Sequence, residues 1–344
     1  MQRDIARNLS FFTYEVIWFT YLLYNHYVMK NEINAKEIRI LWLGTPLISA
    51  IVLEKLIKEN YNIVGVVAQV DKPVGRKMKL EPVPTKVVAN KYNIPVYQPV
   101  KIRNEFDFIK DIKPDLIITL AYGQIIPHDM LTIPVFGCLN LHGSLLPKYR
   151  GAAPMQYALL NGDEVTGITL MEMVDKMDAG KMYYKKEVKI IDDDNLDSLT
   201  LKMADCAFET LVEGLPDYLN GNNSGIEQNE ELVTFTAKIK PEDQIISFSD
   251  SAFNIHNKIR ALNSEPGCYF TYKDINYKVG SSKIVENKYN IGEIYKYDKT
   301  GLYIGTGEKS LQITSIQKPG KKMMAISDFY NGNRDLFIKG EVIK

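Results

Sequence analysis

Short apolar runs alternating with helical periodicity constrain this chain more than any other feature. Ile38 to Leu43, Ile63 to Gln69 and Leu116 to Leu120 read as strands, the last of them buried. Ile51 to Glu59, Lys86 to Tyr92 and Phe106 to Lys110 read as helices. Cys138 to Leu141 is a further strand, Ala153 to Leu160 a helix, and Ile168 to Met173 a strand after it. Strands alternating with helices predict an α/β, Rossmann-like domain on a mostly parallel sheet with right-handed crossovers. Ligands of such sheets sit at the carboxyl ends of the strands. Gly44, Tyr122-Gly123 and Asn140 all fall there.

Asp197 to Leu219 has the pattern of a long amphipathic helix, and Gly221 to Gln228 is rich in Gly, Asn and Ser, as a linker is. Beyond Pro241 the pattern changes. Cys268 to Tyr272, Ile275 to Val279, Leu302 to Gly305 and Leu311 to Ile316 are short alternating runs separated by turns. They predict a small antiparallel barrel. The 344 residues are enough for two domains. The expected division is 37–220 for the α/β domain, 221–240 for the linker and 241–344 for the all-β domain.

Residues 1–36 stand apart. Phe11 to Val28 is aromatic-rich but interrupted by Glu15, Asn25 and His26, so no apolar run reaches the length of a spanning helix. No small-residue cleavage site follows, as a secretory signal requires. The segment reads as a disordered or interfacial tail, or as a start assigned upstream of Met29; the second reading is preferred.

Lys and Arg number 42, as do Asp and Glu, so the net charge is zero and bulk electrostatics favour neither nucleic acid nor membrane. Any polyanion must be met by a local patch. Cys138, Cys206 and Cys268 have no metal-ligand spacing and read as free thiols in a reducing cytoplasm, with no metal site. Nothing in the sequence calls for more than a monomer.

The chemistry concentrates in Asn140-Leu141-His142-Gly143-Ser144-Leu145-Leu146-Pro147-Lys148-Tyr149-Arg150-Gly151. Asn140 and His142 lie two apart at a strand end, hence on one face, and Gly143 allows a tight turn. An imidazole there can serve as general base or as donor to a developing oxyanion, and Asn140 offers an N–H to the same oxygen. A carboxylate to orient and charge the imidazole is available at Asp175 or Asp178, which spacing does not separate. His128 and His256 read as surface residues. No Gly-x-Gly-x-x-Gly follows the first strand, which argues against a nicotinamide site. The loop from Asp71 to Lys79 carries four Lys or Arg against one Asp, including Arg76, Lys77 and Lys79, and follows a strand on the ligand side of the sheet. That position suits phosphate contact. Lys321 and Lys322 form a second basic turn, in a region holding 15 Lys and Arg against 12 Asp and Glu.

With these segments, together with Gly44-Thr45-Pro46, Ala121-Tyr122-Gly123, Asp178-Ala179-Gly180 and Asp328-Phe329, the chain resembles the methionyl-tRNA formyltransferase family from about residue 37 to its end. The Asn/His/Asp core is shared by the wider formyl-tetrahydrofolate transferases; the basic loop and second domain narrow the resemblance. It implies a folate-binding Rossmann-like domain and an OB-like C-terminal barrel. It also implies formyl transfer from 10-formyltetrahydrofolate to the α-amine of initiator methionyl-tRNA. On that resemblance Asn140, His142 and Asp178 match the catalytic positions. Ser144, Leu145, Leu146 and Pro147 match the folate-binding segment, with Tyr122 and Gly123 placed beside it. Arg76 matches the loop arginine that meets the acceptor stem. Leu47-Ile48-Ser49 and Glu265-Pro266 depart from the family pattern, the second where Trp-Pro is usual. Rival readings are a formyl-folate enzyme for a small amine, an RNA-binding protein with an inactive transferase domain, and a dehydrogenase.

Overall fold

The computed structural model describes residues 32–74 and 78–343. The tail expected through residue 36 therefore lies outside the described residues up to 31. From there Ile33 donates its backbone N–H to Asn220 Oδ1 at 2.7 Å, tying the chain to the end of a long helix.

The first unit runs β1 (Ile40–Gly44), α1 (Leu47–Lys58), β2 (Ile63–Val67), the hairpin β3 (Lys72–Val74) and β4 (Lys79–Glu81), α2 (Pro84–Lys91) and β5 (Val96–Tyr97). It continues through α3 (Phe108–Ile112), β6 (Leu116–Leu120), α4 (His128–Leu131), β7 (Cys138–His142), β8 (Arg150–Gly151), α5 (Pro154–Leu160), β9 (Val165–Glu172), β10 (Met182–Lys189) and α6 (Leu196–Leu219). Seven strands form one sheet in the order β10-β9-β7-β6-β1-β2-β5. The five from β7 to β5 are parallel, and β9 and β10 add antiparallel at the other edge.

Alternate residues of β1 divide between two cores. Ile40 and Trp42 join the layer under α1 and α6, while Leu41 and Leu43 join the layer under α3 and α4. Ile118 and Ile117 on β6 divide in the same way. A strand buried on both faces has no polar side, which is why these runs read as uniformly apolar. Asn195 caps α6, accepting the backbone N–H of Asp197 and Ser198, and holds the long helix in place.

Two elements differ from the sequence reading. The Asp71 to Lys79 segment, expected as a loop, holds β3 and the start of β4, whose ladder leaves no apolar signature because Lys72, Pro73, Lys79, Leu80 and Glu81 are exposed. Met182–Lys189 is a strand that its Lys-rich sequence conceals, because most of its positions are not fully buried.

The second unit is an antiparallel sheet against which the helix α7 (Ala252–Leu262) packs. β12 (Cys268–Tyr272), β13 (Ile275–Val285), β14 (Ile294–Asp298), β15 (Gly301–Gly305) and β16 (Ser310–Gln317) pair in the order β12-β13-β16-β15-β14. β17 (Met324–Ala325) pairs with β16 and leads into α8 (Ile326–Asn331). Between the units, β11 (Phe235–Thr236) pairs in parallel with β8. The segment expected as a linker thus returns to the first unit.

The units also meet at α7. Arg260 donates to the carbonyls of Ile191 and Asp194 at 3.2 and 3.4 Å. His256, expected at the surface, is half-buried with Nδ1 3.0 Å from Ser282 Oγ. Burial and the Arg260 cation push its pKa below the ordinary 6.5, with Asp192 partly opposing. A histidine whose folded pKa is depressed is protonated first in the unfolded chain. Its contribution is therefore intact above pH 6.5 and is lost as pH falls through 6.5 toward the folded value. His256→Asn should flatten the fall in urea midpoint between neutrality and mildly acid pH; an acid slope equal to wild type would contradict this.

Candidate active site

β7 lies between β6 and β9, with Thr119 opposite Asn140 and His142 opposite Thr169. This brings Asn140, His142 and Asp178 together. The Thr119 hydroxyl donates to Asn140 Oδ1 at 2.7 Å, which leaves the Asn140 amide nitrogen free to donate elsewhere. The His142 side chain is 5% exposed. Its Nε2 is 2.8 Å from the Tyr149 carbonyl oxygen. A carbonyl only accepts, so Nε2 carries the proton and Nδ1 of the neutral ring carries the lone pair.

Nδ1 faces Asp178 Oδ1 at 3.7 Å, with the carboxylate 17% exposed. That separation is charge-pairing distance, not a hydrogen bond. The ring is therefore oriented by the Tyr149 carbonyl, and Asp178 acts on it as a nearby charge. The other carboxylate oxygen, Oδ2, accepts the Gly151 N–H at 2.8 Å. Gly151 has φ +108°, and a Cβ there would lie 2.5 Å from the Thr236 carbonyl oxygen, so only glycine fits. Asp175, which spacing left open, instead pairs with His128 at the surface, and its side chain is 69% exposed.

Ser144 and Leu146 turn their side chains inward. Ser144 Oγ donates to the Lys148 carbonyl at 2.6 Å, and Leu146 packs with Met171 and Met182. Thr169 clamps the same turn: its hydroxyl donates to the Ser144 carbonyl at 2.7 Å and accepts the Leu146 N–H at 3.1 Å. Leu145 and Pro147 are half-buried and keep apolar surface. Tyr122 is buried, and burial raises its phenol pKa. Its hydroxyl has no partner among the described residues. Gly123 follows in a left-handed turn at the end of β6, with φ +87°. Arg76 and Lys77 lie outside the described residues. Lys79 is exposed on β4, and Lys321 and Lys322 are exposed in the turn between β16 and β17. Among the described residues no group of three or more His, Cys, Asp or Glu could hold a metal ion.

Sequence reasoning missed four parts of the site: the Thr119 hydroxyl, the Tyr149 carbonyl, the buried Arg150 and Gln228. A backbone carbonyl leaves no mark in a sequence, and Thr119 sits inside an apolar strand where it reads as β-branched filler. Arg150 had one signal, a charged residue directly before a glycine in the Asn140 to Gly151 motif.

Two family models fit this architecture: formyl transferase over residues 36–215, and formyl transferase, C-terminal domain, over residues 238–334. Fold and site together define a two-domain formyl transferase. Solved structures share the fold. HypX from Aquifex aeolicus in complex with tetrahydrofolic acid has TM-score 0.63 at 17% identity, over 89% of this chain and 50% of that one. Methionyl-tRNA formyltransferase from Clostridium thermocellum has TM-score 0.55 at 19% identity, over 73% and 95%. By sequence, methionyl-tRNA formyltransferase of Bacillus pumilus (strain SAFR-032) is 43% identical over 299 residues, covering 86% of this chain and 94% of that protein. The chain belongs to the methionyl-tRNA formyltransferase family.

Thr119→Val should lower kcat about 10-fold by freeing the Asn140 amide to rotate, with urea stability within about 1 kcal/mol of wild type. Unchanged kcat would show that Asn140 needs no such partner.

Proposed function

We propose that this protein transfers the formyl group of 10-formyltetrahydrofolate to the α-amine of initiator methionyl-tRNA, giving formylmethionyl-tRNA and tetrahydrofolate, with Asn140, His142 and Asp178 as its catalytic residues. The observation that carries the reading is the polarity of the site: a free amide donor on Asn140 beside an imidazole whose lone pair is confined to Nδ1. The methionyl amine is protonated near neutrality and must lose a proton before it attacks the formyl carbon. His142 Nδ1 takes it, and the Asp178 carboxylate at 3.7 Å stabilises the imidazolium that results. Negative charge collects on the formyl oxygen as the new C–N bond forms, and the Asn140 N–H meets it. The attacking nitrogen then gives up its second proton as the bond to N10 breaks; N10 of tetrahydrofolate leaves carrying that proton, and the first passes from His142 to solvent.

The half-buried Leu145 and Pro147 follow His142 in the chain, and the Tyr122-Gly123 turn follows β6, the neighbour of β7; we assign them to a flat apolar ring. Ser144 and Leu146 support the folate-binding segment from beneath. Arg76, Lys77, Lys79, Lys321 and Lys322 are the proposed phosphate contacts, local patches on a chain with no net charge. Among the described residues no helix is long and apolar enough to cross a membrane. We place the protein in the cytoplasm, with its tRNA substrate, as a monomer.

His142→Ala and Asn140→Ala should each lower kcat by at least ~10²-fold. Near-wild-type turnover by either purified variant would remove that residue from the chemistry. The function itself is tested by formyl transfer to initiator methionyl-tRNA with elongator methionyl-tRNA as control; a strong initiator preference is expected, and transfer to neither tRNA would refute it. Arg76→Ala should raise KM for tRNA while leaving folate binding unchanged. Equal loss of both would deny Arg76 its place at the tRNA.

A further inference from the structure

The segment between the two units contributes an amide to the heart of the site. Gln228 is buried, and its side chain makes three hydrogen bonds there. Its Nε2 donates to the Asp178 and Gly180 carbonyls, each at 2.8 Å. Its Oε1 accepts Nε–H of Arg150 at 2.9 Å. The orientation of the amide is unambiguous: a guanidinium only donates and carbonyls only accept, so the reverse orientation would break all three bonds. Arg150 is 0% exposed and also donates through Nη2 to Glu230 at 2.9 Å.

Asp178 needs such a hold. Its φ is +50°, a left-handed conformation that residues other than glycine seldom adopt, and it persists only where the surroundings impose it. Gln228 grips the carbonyl of Asp178 while the Gly151 N–H grips its carboxylate. Gly151 is in turn set by the pairing of β8 with β11, eight residues beyond Gln228. Backbone and side chain of Asp178 are thus fixed from the same two segments, 150–151 and 228–236.

We infer that Gln228, backed by Arg150, is a positioning residue for formyl transfer: it holds Asp178 in its left-handed conformation and thereby aims Oδ1 at His142. The segment between the units is then part of the catalytic apparatus as well as a tether. This rests on the catalytic reading of Asp178 and His142 given above.

The test uses the full-length protein and four variants: Gln228→Glu, Gln228→Met, Asp178→Asn and the Asp178→Asn/Gln228→Glu double. Glutamate keeps an acceptor for Arg150 but loses both donations to the carbonyls; methionine conserves volume without hydrogen-bonding them. Turnover is expressed per folate-binding site, so that misfolded protein does not count. For both Gln228 variants kcat should fall about 10- to 100-fold, since a displacement near 1 Å can cost that much. KM for both substrates should stay within about threefold. The double variant should be no more than about twofold slower than Asp178→Asn alone, because both changes disable one unit. Wild-type kcat in Gln228→Glu, or losses that multiply in full in the double, would overturn the inference and leave the role of Asp178 standing. Near-wild-type kcat in Asp178→Asn would bring down the catalytic reading itself, and the inference with it.

Discussion

β7 is held on both sides, in parallel by β6 and in antiparallel by β9, and the rest of the site depends on that double pairing. A residue in a strand paired on both edges has its backbone groups committed and little freedom to move. Asn140 lies where both neighbours pair and His142 where β9 alone does, two apart on one face, so their relation to each other is set by the ladder rather than by loop packing. The same ladder supplies Thr119 opposite Asn140 and Thr169 opposite His142. The first fixes an amide, and the second clamps the turn that follows.

Beyond the strand, the site is a matter of which groups are left without a partner. Tyr149 takes the proton-bearing edge of His142, and Thr119 takes the oxygen edge of Asn140. What these two leave uncommitted is the Nδ1 lone pair, on the side of Asp178, and one amide N–H, the two things that an attacking amine and a developing oxyanion need. The carboxylate at 3.7 Å adds charge without competing for the lone pair. The orientation of both side chains is thus set by a backbone carbonyl and a hydroxyl.

The sheet was legible because burial on two faces demands apolar strands of five or so residues, as Leu116 to Leu120 illustrates. β10 and the β3/β4 hairpin were not legible. Their ladders satisfy backbone groups, while their side chains include exposed lysines that make no commitment to a core. In the site, Asn140 and His142 stood out as polar residues closing an apolar strand. Spacing did not separate Asp175 from Asp178, because three residues say nothing about which carboxylate the chain folds toward the imidazole; only the family resemblance singled out Asp178.

By itself the sequence determined the alternation of strand and helix, the change to short antiparallel strands beyond Pro241, and the family to which the chain belongs. Each is written in local order: periodicity, turn residues and a contiguous motif. Only the tertiary structure decided that Tyr149 orients His142, that Asp178 rather than Asp175 faces it, and that Gln228 and Arg150 hold Asp178 in place. These depend on contacts between segments as many as 78 residues apart, some to backbone atoms that every residue carries alike, and no local pattern encodes them.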